Sequence, residues 1–155
     1  MSHFPPHEFP RLTASNHRLT SPPDVDYNCI AWAAGDVAHW WQPGVYWPGA
    51  APHRDFGIGV LEQAFLELGY EDCGINDSLE IGFKKVALYG GATYYTHAAK
   101  QTPRGKWSSK LGKEEDIEHD APDDVAGGIY GEVVEILKRR VTNEQAEVLL
   151  MIRRP

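Results

Sequence analysis

Residues 85–111 read KVALYGGATYYTHAAKQTPRGKWSSKL, and the punctuation of that stretch decides the fold. Lys85-Val86-Ala87-Leu88-Tyr89 is a short apolar run, Gly90-Gly91 breaks it, and Ala92 to Lys100 resumes with aromatic and β-branched residues, as strands separated by a turn do. Thr102-Pro103-Arg104-Gly105 supplies turn chemistry before Lys106 to Leu111 returns, so the spacing predicts a hairpin. Upstream, Val60, Leu61, Ala64, Phe65 and Leu68 form the stripe of an amphipathic helix from Gly57 to Gly69. Further back, Ile30, Ala33 and Ala34 fall at helical spacing behind Asn28, a good capping residue, which predicts a helix from Cys29 to Trp40. The prolines and glycines of HWWQPGVYWPGAAP (39–52) make an aromatic loop between the two helices. Downstream, KEEDIEHDAPDD (113–124) reads as a solvated acidic loop. Val133, Val134, Ile136 and Leu137 read as a short helix over Glu132 to Arg139, and Glu147 to Ile152 as a last strand or helix end. Helices segregated from an antiparallel sheet make an α+β layout.

The chain has 155 residues, enough for one core, which predicts a Pro-rich extended arm over 1–26 and a single domain over 27–155. Hydrophobic residues make 42% and charged residues 24%, and no apolar run approaches the roughly 20 residues that span a bilayer. A net charge of -7 argues against nucleic acid, because an acidic chain gains little from releasing counterions at phosphates. Two cysteines are too few for a disulfide framework, and MSHFPPHEFP lacks the basic, apolar, small-residue order of a signal peptide. The cytoplasm is the expected home, with delivery by a specialised secretion system left open. No CxxC, HExxH or phosphate-loop pattern occurs, so neither a metal nor a cofactor is expected. Oligomeric state is not encoded in any of these features.

Cys29 falls at the cap of the first helix, where free amides and the dipole favour negative charge, which predicts a thiol that is partly thiolate at neutral pH. The alternative is a buried apolar filler, since free cysteine is among the most buried residue types. A nucleophile needs a base, and His97, in the strand from Thr93 to Lys100, is the best candidate. The base needs an orienter. Across the hairpin, Ser109 is the first choice and Asp116 the charged alternative. His119 is a second base, a partner of His97 or a solvated residue. Tyr27 and Asn28 could add oxyanion donors to the Cys29 amide, although packing and helix capping account for them equally well. Trp40, Trp41, Tyr46 and Trp47 either wall a substrate groove or pin their own loop to the core.

The words Tyr27-Asn28-Cys29-Ile30-Ala31-Trp32-Ala33, Thr96-His97-Ala98-Ala99, Trp107-Ser108-Ser109-Lys110-Leu111-Gly112 and Glu115-Asp116-Ile117-Glu118-His119 resemble those of a family of small, mostly bacterial proteins with no assigned activity. The likeness runs from about Thr20 to Arg139. More remotely, a cysteine at a helix start, a histidine on a strand and a polar residue on the next strand look like the NlpC-type and CHAP-type amidases of the papain-like group. That second resemblance implies a papain-like fold and a thiol hydrolase of the cysteine peptidase or amidase class, deamidase-like chemistry included, acting on a peptide or protein through Cys29 and His97. Its rival is a papain-like frame that binds a protein partner without catalysis.

Overall fold

The structure is a computed structural model and describes residues 4–21, 26–43, 45–47, 56–91, 93–111 and 115–141. Its centre is a seven-stranded antiparallel sheet in the order β1-β6-β5-β4-β3-β7-β2. The strands are β1 (His17–Ser21), β2 (Glu71–Asp72), β3 (Phe83–Gly90), β4 (Tyr95–Gln101), β5 (Trp107–Lys110), β6 (Asp116–His119) and β7 (Glu132–Arg140). Two helices, α1 (Cys29–Ala34) and α2 (Ile58–Glu67), lie on one face, and a 3-10 segment, Pro122–Val125, helps cover the other.

Strand alternation divides the core in two. Val86, Leu88, Ala98 and Leu137 point toward the helices and pack with Ile30, Leu61 and Phe65. Ala87, Tyr89, Ala99, Trp107, Ile117 and Ile136 point the other way, under Phe4 and Phe9 of the N-terminal segment and Val125, Ala126 and Tyr130. Leu61 and Phe65, one turn apart on α2, are fully buried. Side chains of this kind contribute about 1.5 to 3 kcal/mol each, enough to anchor a ten-residue helix that has no side-chain cap.

Three expectations change. The first helix stops at Ala34 instead of Trp40, because Gly35 adopts φ 85° and closes it, and the Asp36 carboxylate then takes the amides of Ala38 and His39 into a turn. Asp116–His119 is a buried strand instead of a solvated loop; its charged side chains find partners across the pairings with β1 and β5. Glu132–Arg140 is a strand instead of a helix, paired with β3 from Phe83↔Arg140 to Gly90↔Glu132. Residues 17–21 of the Pro-rich arm form the edge strand β1. The C-terminal element expected over 147–152 lies outside the described residues.

The hairpin between β4 and β5 is present, but its ladder is short. Pairing covers only Gln101↔Trp107 and Lys100↔Ser108, beside the turn, whereas β3 and β4 stay paired to Gly90↔Tyr95 and β5 and β6 to Lys110↔Asp116. β4 and β5 therefore diverge past Lys100, and α1 lies against both. The candidate site is built at that divergence.

Candidate active site at the parting of two strands

Asn28 has the extended backbone of a helix cap, and its side-chain oxygen accepts from the Ala31 amide at 3.1 Å. The same side chain binds the backbone of Trp41 in both directions, so its contacts are those of a structural clamp. Cys29 follows as the first helical residue and is 8% exposed. Burial pushes its thiol up to about 11, against the pull of the Ala98, Ile30 and Cys29 backbone amides and the Lys110 charge. The expected thiolate is thus corrected: in this setting desolvation outweighs the helix start, and the resting group is a neutral thiol. The Ala98 amide that pulls on the sulfur belongs to the residue after His97, so Cys29 lies against the β4 backbone one residue from His97, with no hydrogen bond between the sulfur and the His97 ring.

His97 is fully buried on the face turned from the helices, stacked on Tyr130 at 4.0 Å between ring centres and edge-on to Tyr89 at 5.0 Å. Its Nε2 lies 2.9 Å from Ser109 Oγ, and Ser109 Oγ lies 2.7 Å from His119 Nε2. His119 Nδ1 faces the Ala121 carbonyl at 2.8 Å. Burial holds His97 well below its ordinary value and His119 down to about 4, so both rings are neutral at pH 7. The carbonyl then settles every proton. His119 Nδ1–H donates to Ala121, so its Nε2 accepts from the Ser109 hydroxyl; the Ser109 oxygen in turn accepts from His97 Nε2–H. What remains is His97 Nδ1, a bare lone pair buried without a hydrogen-bond partner. Buried polar atoms are rarely left unpaired, and catalytic positions are among the places where they are.

Other candidates sit elsewhere. Asp116 accepts from Ser21 Oγ at 2.5 Å and Tyr27 OH at 3.0 Å, and it makes no bond to the His97 ring. Tyr27 is tied to Asp116 and stacked on Trp32 at 5.6 Å. Trp41 is buried, its indole donating to Asp36 at 2.8 Å, and Trp47 packs between Trp41 and Tyr95. The tryptophans at these two positions hold their loop to the core. Tyr130 was not among the candidates. Its signal was a tyrosine framed by glycines in Gly127-Gly128-Ile129-Tyr130-Gly131: a Cβ at Gly128 would collide with the Glu8 carbonyl, and one at Gly131 with the Gly90 carbonyl. Those close approaches seat the ring on His97.

Among the described residues no group of His, Cys, Asp and Glu could hold a metal ion, and no helix is long and apolar enough to cross a membrane. No curated protein and no solved structure matches the chain. A family model described as a domain of unknown function, DUF7689, matches residues 18–138. That span runs from β1 into β7 and contains Cys29, His97, Ser109, His119 and Tyr130, so the chain belongs to the DUF7689 family.

Proposed function

We propose that this chain is a cysteine-dependent acyl-transfer enzyme of papain-like, NlpC- or CHAP-type design, acting on a peptide or protein. The observation that carries the reading is the unpaired His97 Nδ1, held in the base tautomer by the Ser109–His119 relay, on the strand residue next to Ala98, whose amide pulls on the Cys29 sulfur. In a thiol–imidazole pair the ring nitrogen away from the orienting group is the one that takes the thiol proton. Here the pair starts neutral. As Cys29 Sγ bonds to the carbonyl carbon, its proton passes to His97 Nδ1, a transfer for which β4 and β5 must part so that ring and sulfur come within hydrogen-bond reach. The tetrahedral intermediate collapses to a thioester while Nδ1–H returns that proton to the departing amine. Water or a second amine then attacks the thioester by the same route in reverse, freeing the thiol. The imidazolium formed in between is steadied by Ser109 Oγ, and the Cys29 amide at the helix start is the oxyanion donor.

The burial of Cys29 and its raised pKa favour a second reading, a papain-like protein-binding module without catalysis. A thiol-directed acyl probe separates the two. Enzymatic chemistry requires labelling of Cys29 between pH 6 and 9 in a Cys73→Ser background, loss of that labelling in Cys29→Ala, and a fall of at least about tenfold in His97→Ala. Absence of labelling, or equal labelling in the histidine variant, leaves the binding module.

A further inference from the structure

Beyond the C-terminal end of α1, away from Cys29, a cavity of about 350 Å³ opens between the helix and the ends of β3 and β4. That volume falls in the range of small-molecule sites. Trp32, Tyr70 and Phe83 line it, and Lys84 and Lys100 stand at it from neighbouring strands of the same sheet face. The Lys100 ammonium lies 3.7 Å above the centre of the Trp32 ring, over a π-face in place of a carboxylate. Neither Lys84 nor Lys100 has a carboxylate at ion-pair distance among the described residues. The one acid among the described lining residues, Glu80, is already held by Lys85 at 2.7 Å and Lys138 at 3.3 Å. Burial takes the Lys100 ammonium partly from water, with Lys84 repelling it and Asp116 attracting it from a distance, while the Lys84 side chain is exposed. An acidic protein has thus placed two ammonium groups without ion-pair partners among the described residues at an aromatic-walled hollow. Ser108 adds a hydroxyl that accepts from the Trp32 indole at 2.9 Å, leaving its own O–H to donate.

We propose that this hollow binds a small planar organic anion, its ring along the Trp32 edge and the apolar wall of Leu79 and Ile81 and its carboxylate or phosphate between Lys84 and Lys100. The binding does not depend on the chemistry of Cys29. Both lysines donate charge-assisted bonds to the anionic group, and the aromatic walls exclude water from the ring. Because the ligand's head group would be the carboxylate or phosphate that neither lysine has at ion-pair distance, the anion is required along with the ring.

The test is calorimetric titration of the full chain with 1-naphthoate, with 1-naphthyl phosphate in a parallel arm and neutral 1-naphthalenemethanol as the uncharged match. Amide and indole chemical shifts of the labelled protein locate the contact. The expected result is binding of at least one anion with Kd below about 1 mM, shifts at the Trp32 indole, Gly35 and Gly82, and at least tenfold weaker binding of the alcohol. The relative affinity of the two anions identifies the preferred head group. Lys84→Met and Lys100→Met keep the apolar stems and should each weaken the anion at least tenfold while leaving far-UV dichroism unchanged. Cys29→Ala should bind like the native chain, which keeps this result separate from the fate of the acyl-transfer reading. Equal affinity for alcohol and anions, unchanged binding in folded Lys84→Met/Lys100→Met, or shifts that fall elsewhere would overturn the proposal, as would no binding at about 10 mM.

Discussion

Replacing Ser109 with alanine removes a single oxygen from a site with no exposure, yet two imidazoles depend on that atom. The side chain keeps its Cβ, so no cavity of consequence opens and the loss is polar. His97 Nε2–H loses its acceptor and His119 Nε2 its donor, and neither ring can turn to solvent. An unsatisfied buried group costs about 1 to 3 kcal/mol, so with two of them Ser109→Ala should lose roughly 2 to 6 kcal/mol. Against a total of about 5 to 15 kcal/mol for a domain, that is a large fraction. Urea unfolding at pH 7.5, followed by tryptophan fluorescence and far-UV dichroism, reads the loss directly. Adding His119→Phe to Ser109→Ala removes one of the two orphaned atoms but frees the Ala121 carbonyl, so the double variant should lose less than the two single variants summed, with a coupling of about 0.5 to 3 kcal/mol. Nitrogen NMR of the native chain should show His97 protonated on Nε2 and His119 on Nδ1. A Ser109→Ala protein within about 1 kcal/mol of native, or a His97 ring protonated on Nδ1, would refute the relay.

With its thiol pushed up to about 11, Cys29 should react with iodoacetamide in a Cys73→Ser background at a rate that rises roughly tenfold per pH unit to about pH 10; a plateau by pH 8 would show a thiolate instead. His119 is held down to about 4, below its ordinary 6.5, so the unfolded chain binds the proton first as pH falls. Stability is full above about pH 6.5 and drops by roughly 3 kcal/mol on the way to pH 4, a slope that urea unfolding should find in the native chain and find reduced in His119→Gln. Glu135 is pushed up to about 8 by burial and by Glu62 beside it, which makes the folded state bind its proton the more tightly and lose stability as pH rises from about 4.5 to about 8. Glu135→Gln should accordingly gain on the native chain across that window and hold a constant lead above it, which thermal melts at pH 5, 7 and 9 would check.

What the chain declared openly was local. Val86 to Tyr89 and Thr96 to Lys100 alternate around a glycine break, and Thr102-Pro103-Arg104-Gly105 is a turn by its own chemistry, so β3, β4 and β5 could be placed without tertiary knowledge. Asp116–His119 could not, because three of its four residues are polar and only pairing with β1 and β5 makes them tolerable inside. Val133, Val134, Ile136 and Leu137 fit a helical stripe and a strand about equally, and the β3 partner decides between them. At the site, the bond between Ser109 and His97 followed from alternation across a hairpin. The neutral Cys29 thiol did not follow, since its ionisation turns on how much water the finished fold removes. The glycine frame marked Tyr130 as a close approach, but the ring it stacks on belongs to β4 and could not be read from the pattern.

The two-pair ladder between β4 and β5 means that the sheet is two panels, β1-β6-β5 and β4-β3-β7-β2, joined by the 102–105 turn and by side chains reaching across. Protection of amides against deuterium should therefore fall into two cooperative blocks that open along this line before either panel melts. Rupture of the His97–Ser109 bridge is the polar cost of spreading the panels, and in the proposed acyl transfer it is also the motion that would let a substrate carbonyl reach the sulfur. On that proposal access and rigidity are set by the same bond, so a variant that loosens the crease would gain entry and lose the alignment of the His97 ring.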